Sequence, residues 1–206
     1  MTSYFKRLII ICLCLQWAQA ANAEALFEDT HPPEELIKAL QSGGYIIYMR
    51  HGITTRKDKH RNKQMVDLNR CETQRNLTDE GILQVKHLGK VISALGIPIG
   101  KVKSSPYCRT KDTARNVFGD FEVDQKLAFS IGKEEQESAR LGQYLFDSML
   151  TSKDQQKNTV FVGHTANLKD GLGIWPKPEG VSVIFQASGD KVIYKGMIKP
   201  SEWPSL

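Results

Sequence analysis

Three short, largely apolar runs in this chain each end in a cationic or imidazole side chain, and that coincidence points to chemistry on an anion. Tyr45 to Met49 lead into Arg50-His51-Gly52. Val102 to Pro106 lead into Tyr107-Cys108-Arg109-Thr110, and Thr159 to Val162 into Gly163-His164-Thr165. Open α/β sheets place ligand crevices at the carboxyl ends of their strands. If the three runs are neighbouring parallel strands, two arginines and two histidines converge on one anionic group. A neutral imidazole nitrogen is able to attack phosphorus, and planar guanidinium forks match phosphate oxygens. His51 is the candidate nucleophile, with Arg50 and Arg109 as substrate-binding groups. His164 is the second catalytic candidate, donating to a phosphate oxygen and adding positive charge when protonated. Each residue alone reads as structural or surface; together they describe a phosphate pocket. No metal is required if these groups neutralise the phosphate, and no cofactor is expected.

The elements that must position them can be traced along the chain. Pro33 to Leu40 reads as a short helix, acidic at its start and stopped by Gly43-Gly44. Tyr45 to Met49 is continuously apolar, as in a strand covered on both faces. Thr54 to Arg75 is dense in Arg, Lys, Asn and Gln, and reads as a loop or loosely helical insertion at the crevice mouth, or simply as solvated surface. Thr78 caps the strongest helical pattern, with Asp79 and Glu80 in its first turn and Ile82, Val85, Leu88, Ile92 and Leu95 at helical spacing. A second strand spans about 102–105, a helix 110–117, a helix 134–150 and a third strand 159–162. Two further strands, 181–185 and 191–197, join through Ser188-Gly189-Asp190. Strands alternating with helices imply an α/β fold: a three-layer α/β/α sandwich whose sheet is mostly parallel with an antiparallel edge.

Composition narrows the class. Lys6 and Arg7 precede the apolar run Leu8 to Leu15, and Ala21-Asn22-Ala23 supplies small residues at both cleavage positions. That order matches a secretory signal peptide over 1–23; a retained anchor would need about 20 apolar residues. The remainder, 24–206, is about 180 residues, enough for a single domain. Loss of Lys6 and Arg7 trims the formal net charge of +5 by two. A mild positive balance suits an anionic substrate and is equally an ordinary surface. No run of five like charges and no basic-aromatic stripe supports nucleic-acid binding. The expected location is periplasmic or secreted, with no stable membrane anchor after cleavage. Only Cys71 and Cys108 then remain, an even pair in an oxidising compartment. A disulfide between them closes a loop of about 37 residues, worth about 3 to 4 kcal/mol in chain-entropy terms; two separate thiols are the alternative.

These segments carry a family resemblance. Arg50-His51-Gly52-Ile53-Thr54 resembles the RHGxT signature of the histidine phosphatase superfamily, the phosphoglycerate mutase-like fold. Leu77-Thr78-Asp79-Glu80-Gly81 followed by Gln84 is similar to the family's opening of its first long helix. Ser104 to Thr110 with Thr113-Ala114 resembles the second signature, and Val162-Gly163-His164 the third. The resemblance runs in order from about Tyr45 to Met197. It implies that His51 is phosphorylated in turnover, while Arg50, Arg109 and His164 hold the transferred group.

Three departures stand out. Lys57 replaces an asparagine found in many members. Thr165 follows His164 where the phytase-like branch has a His-Asp pair. The interval that usually supplies an acid offers Glu134, Glu135 and Glu137, which equally form the polar face of a helix. The resulting expectation is an exported, metal-independent phosphatase acting through phosphohistidine on a phosphorylated small molecule, an envelope glycolipid or a phosphoprotein. The competing class is a catalytically weak phosphate-binding or regulatory module of the cell envelope. A phosphomutase is disfavoured, since its substrates are cytoplasmic metabolites.

Overall fold

A computed structural model describes residues 26–27, 30–55, 66–152 and 154–205. The expected signal segment 1–23 and Lys57 lie outside the described residues. One seven-stranded sheet is built from β1 (Leu26–Phe27), β2 (Ile46–Arg50), β3 (Ile99–Ser104), β4 (Glu122–Val123), β5 (Asn158–Gly163), β6 (Ser182–Ser188) and β7 (Lys191–Ile198). Their order is β1-β7-β6-β2-β5-β3-β4. The pairs β2–β5, β5–β3, β3–β4 and β1–β7 are parallel, and β6 is antiparallel to both of its neighbours. The sheet is therefore mostly parallel, with the β6–β7 hairpin as its antiparallel side. Ser188 pairs with Lys191 across a two-residue turn, and Gly189 takes a positive φ of 60° there, as a II′ hairpin requires.

Strand alternation assigns the two faces. Ile47 and Met49 of β2 face one apolar cluster with Val102, Val160, Val162 and Ile184. Ile46 and Tyr48 face the other, with Phe161, Val183 and Phe185. The first cluster is covered by α1 (Pro33–Ser42), α2 (Asp79–Ala94) and α3 (Cys108–Phe118), the second by α4 (Glu135–Leu150) and α5 (Thr165–Leu172). These are the three layers anticipated, and no described helix is long and apolar enough to cross a membrane.

Helix α2 starts where its capping residues dictate. The Gly81 N–H donates to Thr78 Oγ1 at 2.9 Å, and Asp79 and Glu80 occupy the first turn. Gly81 also has a packing reason to lack a side chain: a Cβ there would collide with the Ile53 carbonyl, in the loop just after His51. The sequence pattern placed the start of α3 two residues late, at Thr110 rather than Cys108, and it passed over α5. That helix is short and mixes Asn167, Lys169 and Asp170 among its apolar residues, so its period is weak.

Helices α4 and α5 meet at Gly142 and Gly171, where a Cβ on either would strike the partner backbone. Gly142→Ala should cost about 1 to 3 kcal/mol by overpacking. Thermal melting checks this, and an unchanged Tm would mean that the two helices do not approach this closely.

Candidate active site

Neighbouring strands β2, β5 and β3 run parallel, so their carboxyl ends open on one edge of the sheet. Arg50 closes β2 and His51 follows it; His164 follows β5; Arg109 lies in the first turn of α3, after β3. The His51 and His164 rings stand edge to face with centroids 5.6 Å apart. Arg109 Nη2–H donates to His164 Nδ1 at 3.1 Å. The structure thus brings all four sequence-selected residues to one crevice.

Hydrogen bonds settle the imidazole tautomers. His51 Nδ1 lies 2.9 Å from the Gly52 carbonyl, which only accepts, so Nδ1 carries the proton and Nε2 keeps its lone pair. A guanidinium only donates, so His164 Nδ1 is the acceptor from Arg109, and its Nε2–H donates to Ser105 Oγ at 2.8 Å. Both rings are neutral in this arrangement. Burial, reinforced by the positive charge of Arg109, holds each well below the ordinary histidine pKa. The His164 backbone is pinned by one phenol: Tyr48 Oη accepts from its N–H at 2.8 Å and donates to its C=O at 2.7 Å. Gly163 leaves the space that this phenol fills.

Two residues that the sequence left unassigned complete the pocket. Glu179, in the loop before β6, accepts from Arg50 Nη2 at 3.2 Å and from Arg75 Nη2 at 2.9 Å. It also accepts from the Thr54 N–H at 3.1 Å and the Thr54 hydroxyl at 2.9 Å. Arg50 Nη1 donates to the Pro176 carbonyl at 3.2 Å. Arg75 had been one cation among many in a polar stretch, and an isolated Glu179 carries no periodic signal. Three guanidiniums against one carboxylate leave the pocket positive, close to the charge of about −1.5 to −2 on a phosphomonoester near neutral pH. The Nε atoms of Arg50, Arg75 and Arg109 are buried without a partner among the described residues. Burial lowers the Arg109 pKa to about 10, with neighbouring Arg75 adding to the effect. Tyr107 and Phe129 offer their ring faces to this guanidinium at 4.6 and 5.4 Å.

The three candidate acids stand at the start of α4. Glu137 pairs with Arg140 at 2.7 Å and Lys133 at 3.8 Å on the outer side of α4. Glu134 and Glu135 are exposed at the start of that helix. None bonds to a pocket residue among the described contacts, and the oxygens of Glu179 are engaged as acceptors by Arg50, Arg75 and Thr54. Among the described residues no group of three His, Cys, Asp or Glu could hold a metal ion.

Cys71 and Cys108 form a disulfide, with Cα atoms 5.7 Å apart. Beside it, the Cys108 N–H donates to Gln74 Oε1 at 2.9 Å. Arg75 follows Gln74 and Arg109 follows Cys108, so one tether holds the segments carrying both guanidiniums.

Two outcomes follow from this geometry. Reducing the disulfide, or Cys71→Ser with Cys108→Ser, should lower Tm on the order of 10 °C, from a loop-closure contribution of about 3 to 4 kcal/mol. It should also weaken vanadate binding; unchanged melting and unchanged inhibition together would detach the tether from the pocket. Acidification is the second. In the unfolded chain His51 and His164 take up protons near pH 6.5, and in the folded chain only at much lower pH. The unfolded state therefore binds more protons below about pH 6.5, and stability should fall as pH is lowered through that window. His164→Asn should flatten the slope of Tm against pH; a slope equal to wild type would mean that His164 is not a buried neutral ring.

The model of the histidine phosphatase superfamily (branch 1) matches residues 46–129, which include Arg50, His51, Arg75 and Arg109 and end before His164. No curated protein matches the chain in sequence. Among solved structures, phosphoserine phosphatase from Entamoeba histolytica, in complex with 3-phosphoglyceric acid, is similar at a TM-score of 0.54 and 15% identity, over 75% of this chain and 96% of that one. The alpha-ribazole phosphatase from Shigella flexneri is similar at a TM-score of 0.55 and 14% identity, over 76% and 96%. At such identities the likeness is one of fold. The matched segment carries Arg50, His51, Arg75 and Arg109 to the sheet edge where His164 also lies, and over that segment the chain is similar to the histidine phosphatase superfamily (branch 1).

Proposed function

We propose that the protein is an exported phosphatase that hydrolyses a phosphomonoester through a phosphohistidine on His51, without a metal ion. The observation that carries this reading is the Gly52 carbonyl on His51 Nδ1, which leaves Nε2 as a free lone pair beside three guanidiniums. In the first step Nε2 attacks phosphorus, the P–N bond forms, and the P–O bond to the leaving group breaks. In the second, water attacks the phosphohistidine, the P–N bond breaks, and inorganic phosphate departs with His51 neutral again. The Gly52 carbonyl stabilises the positive ring of the intermediate, and Arg50, Arg75 and Arg109 take the equatorial oxygens. His164 stays neutral while the pocket is empty, because burial, with the charge of Arg109 and the other arginines adding to it, opposes its protonation. A bound dianion offsets those charges, so His164 gains its proton only with phosphate present, and then serves as donor to the departing or transferred oxygen. Glu179 spans Arg50 and Arg75 as a positioning residue.

Export rests on the order Lys6-Arg7, Leu8 to Leu15 and Ala21-Asn22-Ala23, together with a cysteine pair of the kind that oxidising compartments preserve. A phosphorylated small molecule, an envelope glycolipid and a phosphoprotein all present the same monoester to such a pocket.

His51→Ala should lose at least about 10³-fold in kcat toward p-nitrophenyl phosphate in EDTA, with folding retained. Acid-labile phosphate on the wild-type chain, absent from His51→Ala, should appear on rapid quenching. Near-wild-type turnover in the variant would end the phosphohistidine reading, and no turnover by the wild type would leave a phosphate-binding module. Glu179→Gln should split the parameters: phosphate and vanadate bind more tightly as one negative charge goes, while kcat falls as Arg50 and Arg75 lose their common brace. Parallel losses in both would make Glu179 merely structural.

A further inference from the structure

Beside the phosphate pocket lies a second cavity of about 340 Å³, at the crevice ends of α4 and α5. Its size falls within the range of small-molecule sites. Its wall comes from Ser130 and Ile131, from Ala166, Lys169 and Asp170 of α5, and from Trp175. Two sequence neighbours join it to the pocket already described. Phe129, one residue before Ser130, stacks on His164 with centroids 5.1 Å apart and faces Arg109. Pro176, one residue after Trp175, receives Arg50 Nη1. Two of the cavity's walls thus continue, one residue on, into residues that touch Arg50, Arg109 and His164.

Its chemistry differs from theirs. Of the four exposed large apolar side chains in the described chain, two line this cavity: Trp175 at 45% and Ile131 at 41%. Lys169 and Lys177 place their ammonium groups 5.7 Å from the Trp175 ring centroid. Neither lysine is ion-paired with a carboxylate among the described contacts. Asp170 is the one acidic lining residue; one of its oxygens accepts from Ser130 Oγ at 2.6 Å, leaving the other to accept from a hydroxyl. An indole face, the Lys169 ammonium and a carboxylate acceptor line this space, and the Lys177 ammonium stands against the same indole.

We infer that this cavity is the leaving-group subsite, shaped for a hydroxylated ring bearing a second anionic group. The inference rests on the phosphomonoesterase reading and names the substrate class for it. The ring lies against Trp175, the second anion meets Lys169 and Lys177, and a ring hydroxyl donates to Asp170. The ester phosphate then reaches His51.

Three esters separate these contacts: glucose 1,6-bisphosphate, glucose 6-phosphate and glycerol 3-phosphate. The wild-type protein should prefer the bisphosphate to glucose 6-phosphate by about tenfold in kcat/KM, the scale of one charge-assisted contact. Lys169→Gln with Lys177→Gln should erase that preference and leave glycerol 3-phosphate unchanged. Trp175→Ala should cost both glucose esters about three- to tenfold, again sparing glycerol 3-phosphate. No wild-type preference, a preference surviving the double lysine change, or equal losses on all three esters would overturn the subsite. A binding measurement keeps this separate from the phosphatase reading. In a His51→Ala background, glucose 1,6-bisphosphate should give a saturable change in indole fluorescence that Trp175→Phe abolishes and the lysine changes shift about tenfold weaker. If the wild type hydrolyses none of the esters, the phosphatase reading fails while this titration still decides the subsite; a titration without a Trp175-dependent signal rejects the subsite even where hydrolysis is rapid.

Discussion

Mutual repulsion among crowded cations is the constraint on which the rest of this architecture depends. Arg50, Arg75 and Arg109 crowd two imidazoles at one sheet edge, and each positive charge disfavours the others there. Several features offset that cost. Glu179 neutralises part of the charge and fixes the spacing of Arg50 and Arg75. Tyr107 and Phe129 present ring faces to Arg109 in place of water. The imidazoles give up their own charge. The disulfide joins the segments carrying Arg75 and Arg109 covalently, where a noncovalent contact would have to work against repulsion. The same crowding that burdens the empty pocket is what a phosphate dianion relieves, so affinity for the substrate and strain in its absence have one origin.

How much of this the sequence disclosed depends on how local the causes are. Strands β2 and β5 were legible because burial on both faces demands unbroken apolar runs, and α2 because capping and 3.6-residue spacing coincide. Arg50, His51 and His164 were legible because each closes or follows such a run; β3, broken by Lys101 and Lys103, is a weaker signal, and Arg109 stands a few residues beyond its end. Glu179 was not: it acts through contacts to Thr54, Arg75 and Arg50, all more than 100 positions away. Arg75 was hidden for the opposite reason, lying in a stretch so rich in Arg and Lys that no single cation stood out. Glu134, Glu135 and Glu137 stayed open between two readings, because the face that a helix turns to solvent and the face that it turns to a pocket use the same residue types.

The strand order also explains why the site sits where it does. The strands β2, β5 and β3 are adjacent, yet they come from well-separated parts of the chain, with helices returning between them. Each return leaves its loop at the same edge, so residues distant in sequence become neighbours there. The helices α4 and α5 both begin at that edge, which puts the second cavity beside the first.

Tyr48 carries a less obvious consequence. Its ring belongs to the apolar layer beneath α4 and α5, while its hydroxyl grips both backbone groups of His164. Interior filling and imidazole placement therefore share a single lever. Volume changes at Leu145, Phe161 or Leu168, the sort of drift that most interiors absorb silently, would tilt that phenol and carry the histidine with it. On this side of the sheet the range of acceptable core sequences is therefore narrower than stability alone would allow.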